Sequence, residues 1–260
     1  MPRILLRIAY DGTEYSGFQR QIETPRTIAG TVARAVTAAT GEKDIEVSGA
    51  SRTDAGVHAL SNYAWFDTTS RIPPEKFSYV LNSKLPEDIR VIESRKVADD
   101  FTTRHLRFVK TYEYHIHNAE CPDPLQRRYA WFMHTDLDIA SMSDAAQHIV
   151  GEKDFRSFCN SKSQVLTTVR TLLSAEVICT AEKMPRDITI RVRGTGFLYN
   201  MVRIIVGTLV EVGSGRLMPD DIDTIIGKKD RSVAGPTAPP QGLVLADMKI
   251  VVDTPETPGL

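Results

Sequence analysis

The amino-acid sequence predicts an α+β fold in which two βαββαβ halves are joined into one extended, mainly antiparallel sheet, with helices on one face and a central cleft. Three observations lead there. Stretches of β-type apolar residues alternate with stretches of helical period, bounded by Gly, Pro and small polar residues. The order strand, helix, strand, strand, helix, strand runs through residues 3–97 and again through residues 107–250, as an order of elements without a recurring residue pattern. At 260 residues, 42% hydrophobic and 25% charged, the chain is long enough to bury a real core. Each half so ordered makes a split βαβ, ferredoxin-like module. The division falls between an N-terminal half, 1–105, and a C-terminal half, 106–260.

Each element has a local reason. Residues 3–9 are apolar and β-type, and the polar stretch from Tyr10 to Gln21, with Gly12 and Gly17, reads as a long loop. Thr27 suits an N-cap for Ile28, Val32, Ala35, Val36 and Ala39, which recur at helical spacing until Gly41 stops them. Strands at 45–48 and 57–66 flank the polar, glycine-bounded loop 49–56. Pro73 and Pro74 open a second helix through Phe77, Val80, Leu81 and Leu85, and 89–97 returns as a strand. The second half is read as strand 107–117, helix 138–150, strands 169–179 and 187–193, helix 198–212 and strand 243–250. Insertions at 118–136 and 213–242 are candidates for functional loops, the latter with a short helix near 220–226. Pro255, Pro258 and Gly259 predict a frayed tail from 254 to 260.

Charge and cysteine usage narrow the function classes. With 32 Lys+Arg against 33 Asp+Glu the formal net charge is −1, so no global field draws polyanions, and nucleic-acid binding would need a local basic patch. Three widely spaced cysteines, Cys121, Cys159 and Cys179, do not make a disulfide framework and suit a reducing compartment. The apolar run at the N-terminus is broken by Arg7 and Asp11, far short of a signal segment or of the roughly 20 residues of a membrane span. The expected location is the cytoplasm, away from membranes.

The loop Arg52-Thr53-Asp54-Ala55-Gly56-Val57-His58-Ala59 sets one carboxylate beside a guanidinium, a hydroxyl and a backbone made permissive by Gly56. Two readings stand side by side: an Asx-type turn, or a carboxylate kept ionised by a cation and held as a nucleophile. Lys110-Thr111-Tyr112-Glu113-Tyr114 lies on a strand that turns Tyr112, Tyr114 and Ile116 to one face, as sheet packing or as a stacking ring over a cleft. Gly194-Thr195-Gly196-Phe197 forms a close-approach turn ahead of a helix, and Arg203 in that helix's opening turns is either a surface cation or a partner for a carboxylate. His115 and His117 with Cys121 lack a further ligand set, and neither a phosphate-binding glycine loop nor a dinucleotide fingerprint is present. No metal and no cofactor is therefore expected. Basic and aromatic residues interleave at 101–110 and 126–129, a pattern suited to phosphate contacts with base stacking and equally to solvated faces.

Taken in order, these segments resemble the tRNA pseudouridine synthase A (TruA) family along almost the whole chain. The opening block 10–21, the loop 52–59, Lys110-Thr111-Tyr112-Glu113-Tyr114, Asp154-Phe155-Arg156-Ser157-Phe158, Gly196-Phe197-Leu198-Tyr199-Asn200-Met201-Val202-Arg203 and Pro239-Pro240-Gln241-Gly242-Leu243 fall where that family carries its blocks. Phe18 stands where a Trp is usual, Ser51 where a Gly is common and Asn62 where Gln is frequent, and 102–107 departs from the family's usual run.

The resemblance implies an isomerase that turns uridine into pseudouridine at positions 38, 39 and 40 of the tRNA anticodon arm, without a cofactor, as a homodimer. It makes Asp54 the catalytic carboxylate and Arg203 its cationic partner, with Tyr112 stacked on the uracil and Arg52 helping to displace the base. Substrate-binding roles fall by the same resemblance to Tyr112, Arg52, Thr53, His58, Phe197, Asn200 and Gln19. A target base within a stem must be extruded at a cost of a few kcal/mol. Two other readings compete with this one. A non-catalytic RNA binder on the same scaffold would have no use for the Arg-Thr-Asp loop, and a hydrolase attacking a glycosidic carbon would need a second carboxylate, which neither Asp11 nor Glu113 supplies by spacing.

Overall fold

A computed structural model of the chain describes residues 1–20, 26–102, 106–161, 163 and 165–251. Gln21, residues 103–105 of the basic and aromatic run, and the tail from 254 to 260 lie outside the described residues. The fold is α+β, with an open, mostly antiparallel sheet of ten strands and, among the described residues, five α-helices. The chain divides into two compact units, Met1–Phe108 with Leu245–Leu260, and Val109–Val244.

The first unit holds β1 (Arg3–Tyr10), α1 (Ile28–Thr40), β2 (Ser48–Gly49), β3 (His58–Asp67), α2 (Phe77–Asn82), β4 (Ile89–Val97) and most of the last strand, β10 (Leu243–Val251). Its strand order is β4-β1-β3-β10, with β2 on β3. β1 is central and antiparallel to both neighbours, and its pairing with β3 slips between Ile8 and Tyr10. Such a bulge bends the strand and re-aims the side chain beyond it. α1 forms for the reasons its sequence offers: Thr27 Oγ1 accepts from Gly30 N at 3.2 Å, Gly41 closes the helix at φ +76°, and Ile28, Val32, Ala35 and Val36 are buried. The Phe66 and Phe77 rings meet edge to face at 5.4 Å and tie the sheet to α2.

Two expectations for this unit are corrected. The strand expected at 45–48 shrinks to Ser48–Gly49, although Ile45 and Val47 are buried. The helix expected from the Pro73-Pro74 pair to Leu85 divides into a 3₁₀ turn, Pro74–Lys76, and the short α2, which ends at Asn82.

The second unit holds β5 (Arg107–Asn118, from Val109), β6 (Trp131–Met133), α3 (Ile139–Gln147), β7 (Gly151–Asp154), β8 (Val169–Cys179), β9 (Arg186–Gly194), α4 (Met201–Gly213) and α5 (Asp221–Lys228). Its strand order is β5-β9-β8-β7, with β6 pairing in parallel with β5. β6 lies in the insertion expected as loop, and β7 was not expected. Two helices are shorter than predicted. α3 runs from 139 to 147 rather than 138 to 150. α4 starts at Met201 rather than 198, because Asn200 is left-handed at φ 60° and breaks the helical run ahead of it.

α4 is buried almost all round, which only a glycine at its crossing point allows. A Cβ on Gly207 would stand 1.8 Å from the Pro236 carbonyl oxygen. The 235–240 segment therefore lies directly on the helix. Among the described residues no helix is long and apolar enough to cross a membrane.

Candidate active site

In the first unit the loop carrying Asp54 is pinned by the opening block. Phe18 N–H donates to the Thr53 carbonyl at 3.1 Å, and Gly56 N–H donates to the Tyr15 carbonyl at 3.1 Å. Between them the Asp54 carbonyl accepts from Val57 N–H at 3.2 Å, with Gly56 at φ +76°, the conformation that the third position of a type II turn requires. Gly17, at φ +93°, brings the two segments together, for a Cβ there would lie 2.9 Å from the Thr53 carbonyl. Phe18 is buried and lies against Gly49, where a Cβ would stand 2.1 Å from its ring. The turn at 54–57 is real, and it holds Asp54 half-buried at its start, next to an exposed Arg52 and a buried Thr53.

Beneath the loop runs a chain of polar groups. Asn62 Nδ2 donates to the Ser51 carbonyl at 2.9 Å and to Tyr10 Oη at 3.1 Å, and Tyr10 Oη lies 2.8 Å from Thr53 Oγ1. Asn62 is fully buried, and among the described residues its Oδ1 has no hydrogen-bond partner. His58 is also buried; its Nδ1 lies 3.1 Å from Gly12 N–H and 3.2 Å from Asp11 Oδ1. Gly12 must be glycine here, because a Cβ would sit 2.0 Å from the Val57 carbonyl oxygen. Tyr15 is fixed to the start of β4 by Asp88, which accepts from Tyr15 Oη at 2.6 Å and from Arg26 at 2.9 Å. Burial, with that carboxylate second, pushes the Tyr15 phenol up to about 12. Gln19 is half-buried on the same segment.

In the second unit the alternation of β5 turns Tyr112, Tyr114 and Ile116 to the buried face, while Glu113, His115 and His117 take the other and meet Arg191, Thr189 and Asp187 of β9. The two tyrosines part company. Tyr114 donates its hydroxyl to the Pro239 carbonyl at 2.8 Å, with Gly242 against its ring, and burial drives its phenol far above the ordinary value. It is a clamp on the 239–242 turn. Tyr112 instead meets Phe197 edge to face at 4.9 Å, a contact worth roughly 0.5–1.5 kcal/mol beyond the area it buries. Phe197 is delivered by the Gly194 turn, where a Cβ would lie 2.8 Å from Leu172 and 2.9 Å from the Thr171 carbonyl. Lys110 shares the Tyr112 face, and burial pulls its ammonium down to about 8.

Arg203 lies in the first turn of α4 and is oriented from two sides. Its Nε donates to the Ala238 carbonyl at 2.7 Å and its Nη1 to Asn200 Oδ1 at 3.1 Å. Ala238 N–H returns a bond to the Arg203 carbonyl at 3.1 Å. The left-handed Asn200 thus ends the preceding turn and aims the guanidinium at once.

Of the residues singled out in the sequence, Arg52, Thr53, Asp54, His58 and Gln19 belong to the first unit, and Tyr112, Phe197, Asn200 and Arg203 to the second. Sequence reasoning missed Asn62 and Tyr10 as supports of the Asp54 loop, and the carbonyls of Ala238 and Pro239. One signal was present for Asn62: it falls at the same strand parity as the buried Ala64 and Phe66, where an amide must find partners.

Comparison with known proteins covers both units. A family model described as tRNA pseudouridine synthase matches residues 7–104 and 145–249. The tRNA pseudouridine synthase A of Caldicellulosiruptor bescii is 44% identical over 248 residues, 95% of this chain and 99% of that protein. A protein named tRNA pseudouridine synthase A 2 from Clostridium tetani is 45% identical over 246 residues, 94% and 97% respectively. That of Acetivibrio thermocellus is 44% identical over 248 residues, 95% and 99%. The family model takes in the pinned Asp54 loop of the first unit and the Phe197 turn and Arg203 helix of the second, and the chain belongs to the tRNA pseudouridine synthase family, isomerases that act on tRNA.

Proposed function

We propose that the chain isomerises uridines 38, 39 and 40 of the tRNA anticodon arm, with Asp54 as the catalytic nucleophile, acting as a homodimer in the cytoplasm. The observation that carries the assignment is the half-buried carboxylate at the start of a turn pinned by Tyr15, Gly17 and Phe18. Fixing a nucleophile before the substrate arrives removes part of the barrier in advance.

The reaction breaks the bond from N1 to C1′, turns the uracil while it is trapped, and joins C5 to C1′; C5 loses its proton and N1 gains one. Nothing is oxidised and no group is donated. Attack of the carboxylate on C6 of the uracil, attack on C1′ of the ribose, and assisted glycal formation all need an ionised acid. In this reading Arg203 supplies the positive charge that keeps Asp54 ionised. Tyr112, stiffened by Phe197, stacks on the uracil and helps remove the C5 proton. Arg52 takes part in displacing the base, and Thr53, His58, Asn200 and Gln19 line or support the nucleotide's place. The N-terminal half, 1–105, brings the carboxylate and the C-terminal half, 106–260, brings the ring and the guanidinium.

The test is tritium release from C5-labelled uridine in unmodified tRNA, by the wild-type protein and by Asp54→Asn. Wild type is expected to release tritium and Asp54→Asn to fall to background. Equal release by both would remove Asp54 from the chemistry, and free uracil among the products would mark a hydrolase instead.

A further inference from the structure

The block Asp154-Phe155-Arg156-Ser157-Phe158 takes no part in the chemistry above, yet it forms one wall of a cavity in the second unit. This cavity, of about 230 Å³, is lined by Arg156, Asn160, Ser163, Thr168, Lys229 and Arg231 among others. Three cations face it in a chain whose formal net charge is −1. The acid among its lining residues, Asp230, is exposed and accepts from Ser232 N–H at 2.9 Å. The remaining polar groups are hydroxyls and an amide, which can donate to an anion.

The walls are built. Ser157 is fully buried; its Oγ donates to the Ile225 carbonyl at 2.6 Å and accepts from Asp230 N–H at 2.9 Å, tying the 229–231 turn to the 154–158 block. Asp154 accepts from Thr168 Oγ1 at 2.5 Å and from Arg156 N–H at 3.2 Å, and takes Lys229 Nζ at 3.0 Å. Lys229 ends α5 in the left-handed conformation at φ 52°, its N–H donating to the Ile226 carbonyl. Asn160 N–H donates to the Tyr199 carbonyl at 3.1 Å, joining the cavity wall to the turn that carries Phe197. Arg231 is oriented by Thr237 Oγ1 at 3.2 Å and the Ala234 carbonyl at 3.3 Å. Burial pulls its guanidinium below the ordinary value, as it does for Arg170 two residues after Thr168. Desolvated cations of this kind gain most from an anion brought to them.

We propose that this cavity binds a backbone phosphodiester group of the RNA substrate, with Arg156 and Arg231 as its principal donors. The proposal rests on tRNA being the substrate and adds a grip on the backbone away from the reacting base. Contacts of this kind position the nucleic acid without reading its sequence. Each one releases a condensed counterion, so that affinity falls with salt more steeply for every phosphate held.

The experiment measures the affinity of unmodified tRNA for the full chain across a salt series, for wild type, Arg156→Gln, Arg231→Gln and Arg231→Lys. Each Gln variant is expected to bind about three- to tenfold more weakly, with the slope of log K against log salt shallower by about one. Arg231→Lys keeps the charge and is expected to keep most of the wild-type slope, a rescue that damage to the fold would not show. Wild-type affinity and slope in both Gln variants would overturn the proposal, as would a Lys variant as impaired as its Gln counterpart. The two readings fail separately: charge-dependent slopes in a protein that releases no tritium would sustain the cavity and sink the catalytic assignment.

Discussion

A hydroxyl beside the proposed nucleophile is tied by hydrogen bonds to an amide two side chains away. The Asn62 NH₂ group can only donate, so Tyr10 Oη accepts from it, and the same oxygen shares a hydrogen bond with Thr53 Oγ1, 2.8 Å away, in which either hydroxyl can donate. If this relay sets the loop, Tyr10→Phe and Asn62→Ala should each lower kcat for tritium release by about tenfold with a smaller change in KM, since a small misplacement of a reacting group is costly. Each should also lose stability, about 1 kcal/mol for every hydrogen bond removed, with Asn62→Ala giving up its bonds to both Tyr10 Oη and the Ser51 carbonyl. Because both substitutions cut the same chain, the double variant should fall little further than either alone, and strict additivity of the two kcat losses would disprove the relay. Of this chain of bonds only the buried parity of Asn62 was legible in the sequence. Tyr10 could be read there as part of the opening block, but the bulge between Ile8 and Tyr10 that brings it to Thr53 leaves no mark on a period-two pattern.

The alternation of β5 places a lysine among rings. Lys110 shares the parity of Phe108, Tyr112 and Tyr114, and burial is what lowers its ammonium to about 8 from the ordinary 10.5. Below about pH 8 the folded and unfolded chains both carry the proton, and the folded state bears the cost of a desolvated charge. Between 8 and 10.5 the unfolded chain keeps the proton that the folded one has released, so stability rises with pH through that window. Unfolding in urea should show this as a difference: relative to Lys110→Met, the wild type should gain stability from about pH 7.5 to about pH 9.5. A difference that stays flat would mean the lysine is solvated. The same element shows which structure sequence patterns reveal. The long strands and α1 were legible because period and caps agree, as Thr27 and Gly41 do. β6, of three residues, and β2, of two, are too short for any period to register, and the onset of α4 depends on a left-handed Asn200 that helical spacing passes over.

At the scale of the whole molecule, the first unit is not one continuous piece of chain. It takes residues up to Phe108, leaves the chain for the length of the second unit, and regains it at Leu245, so that β10 lies beside β3. Two βαββαβ halves in sequence order suggest modules complete in themselves, and that expectation hides the return. Strand order cannot be read from periodicity, because a terminal strand presents the same alternation whichever neighbour it pairs with. Leu245 and Met248 are buried, so β10 brings apolar side chains to this unit as well as backbone partners. A chain ending at Val244 should therefore lose the unit's last strand and expose the facing edge of β3, a ready template for intermolecular pairing. The expected outcome is loss of cooperative thermal unfolding for the first unit together with concentration-dependent aggregation, and a chain ending at Val251, which keeps β10, is the comparison for both. Amide exchange resolves the outcome by segment. Protection in β1 and β3 should collapse in the shorter chain, and if those strands stay as protected without β10 as with it, residues up to Phe108 suffice for the unit and the return of the chain is no part of its stability.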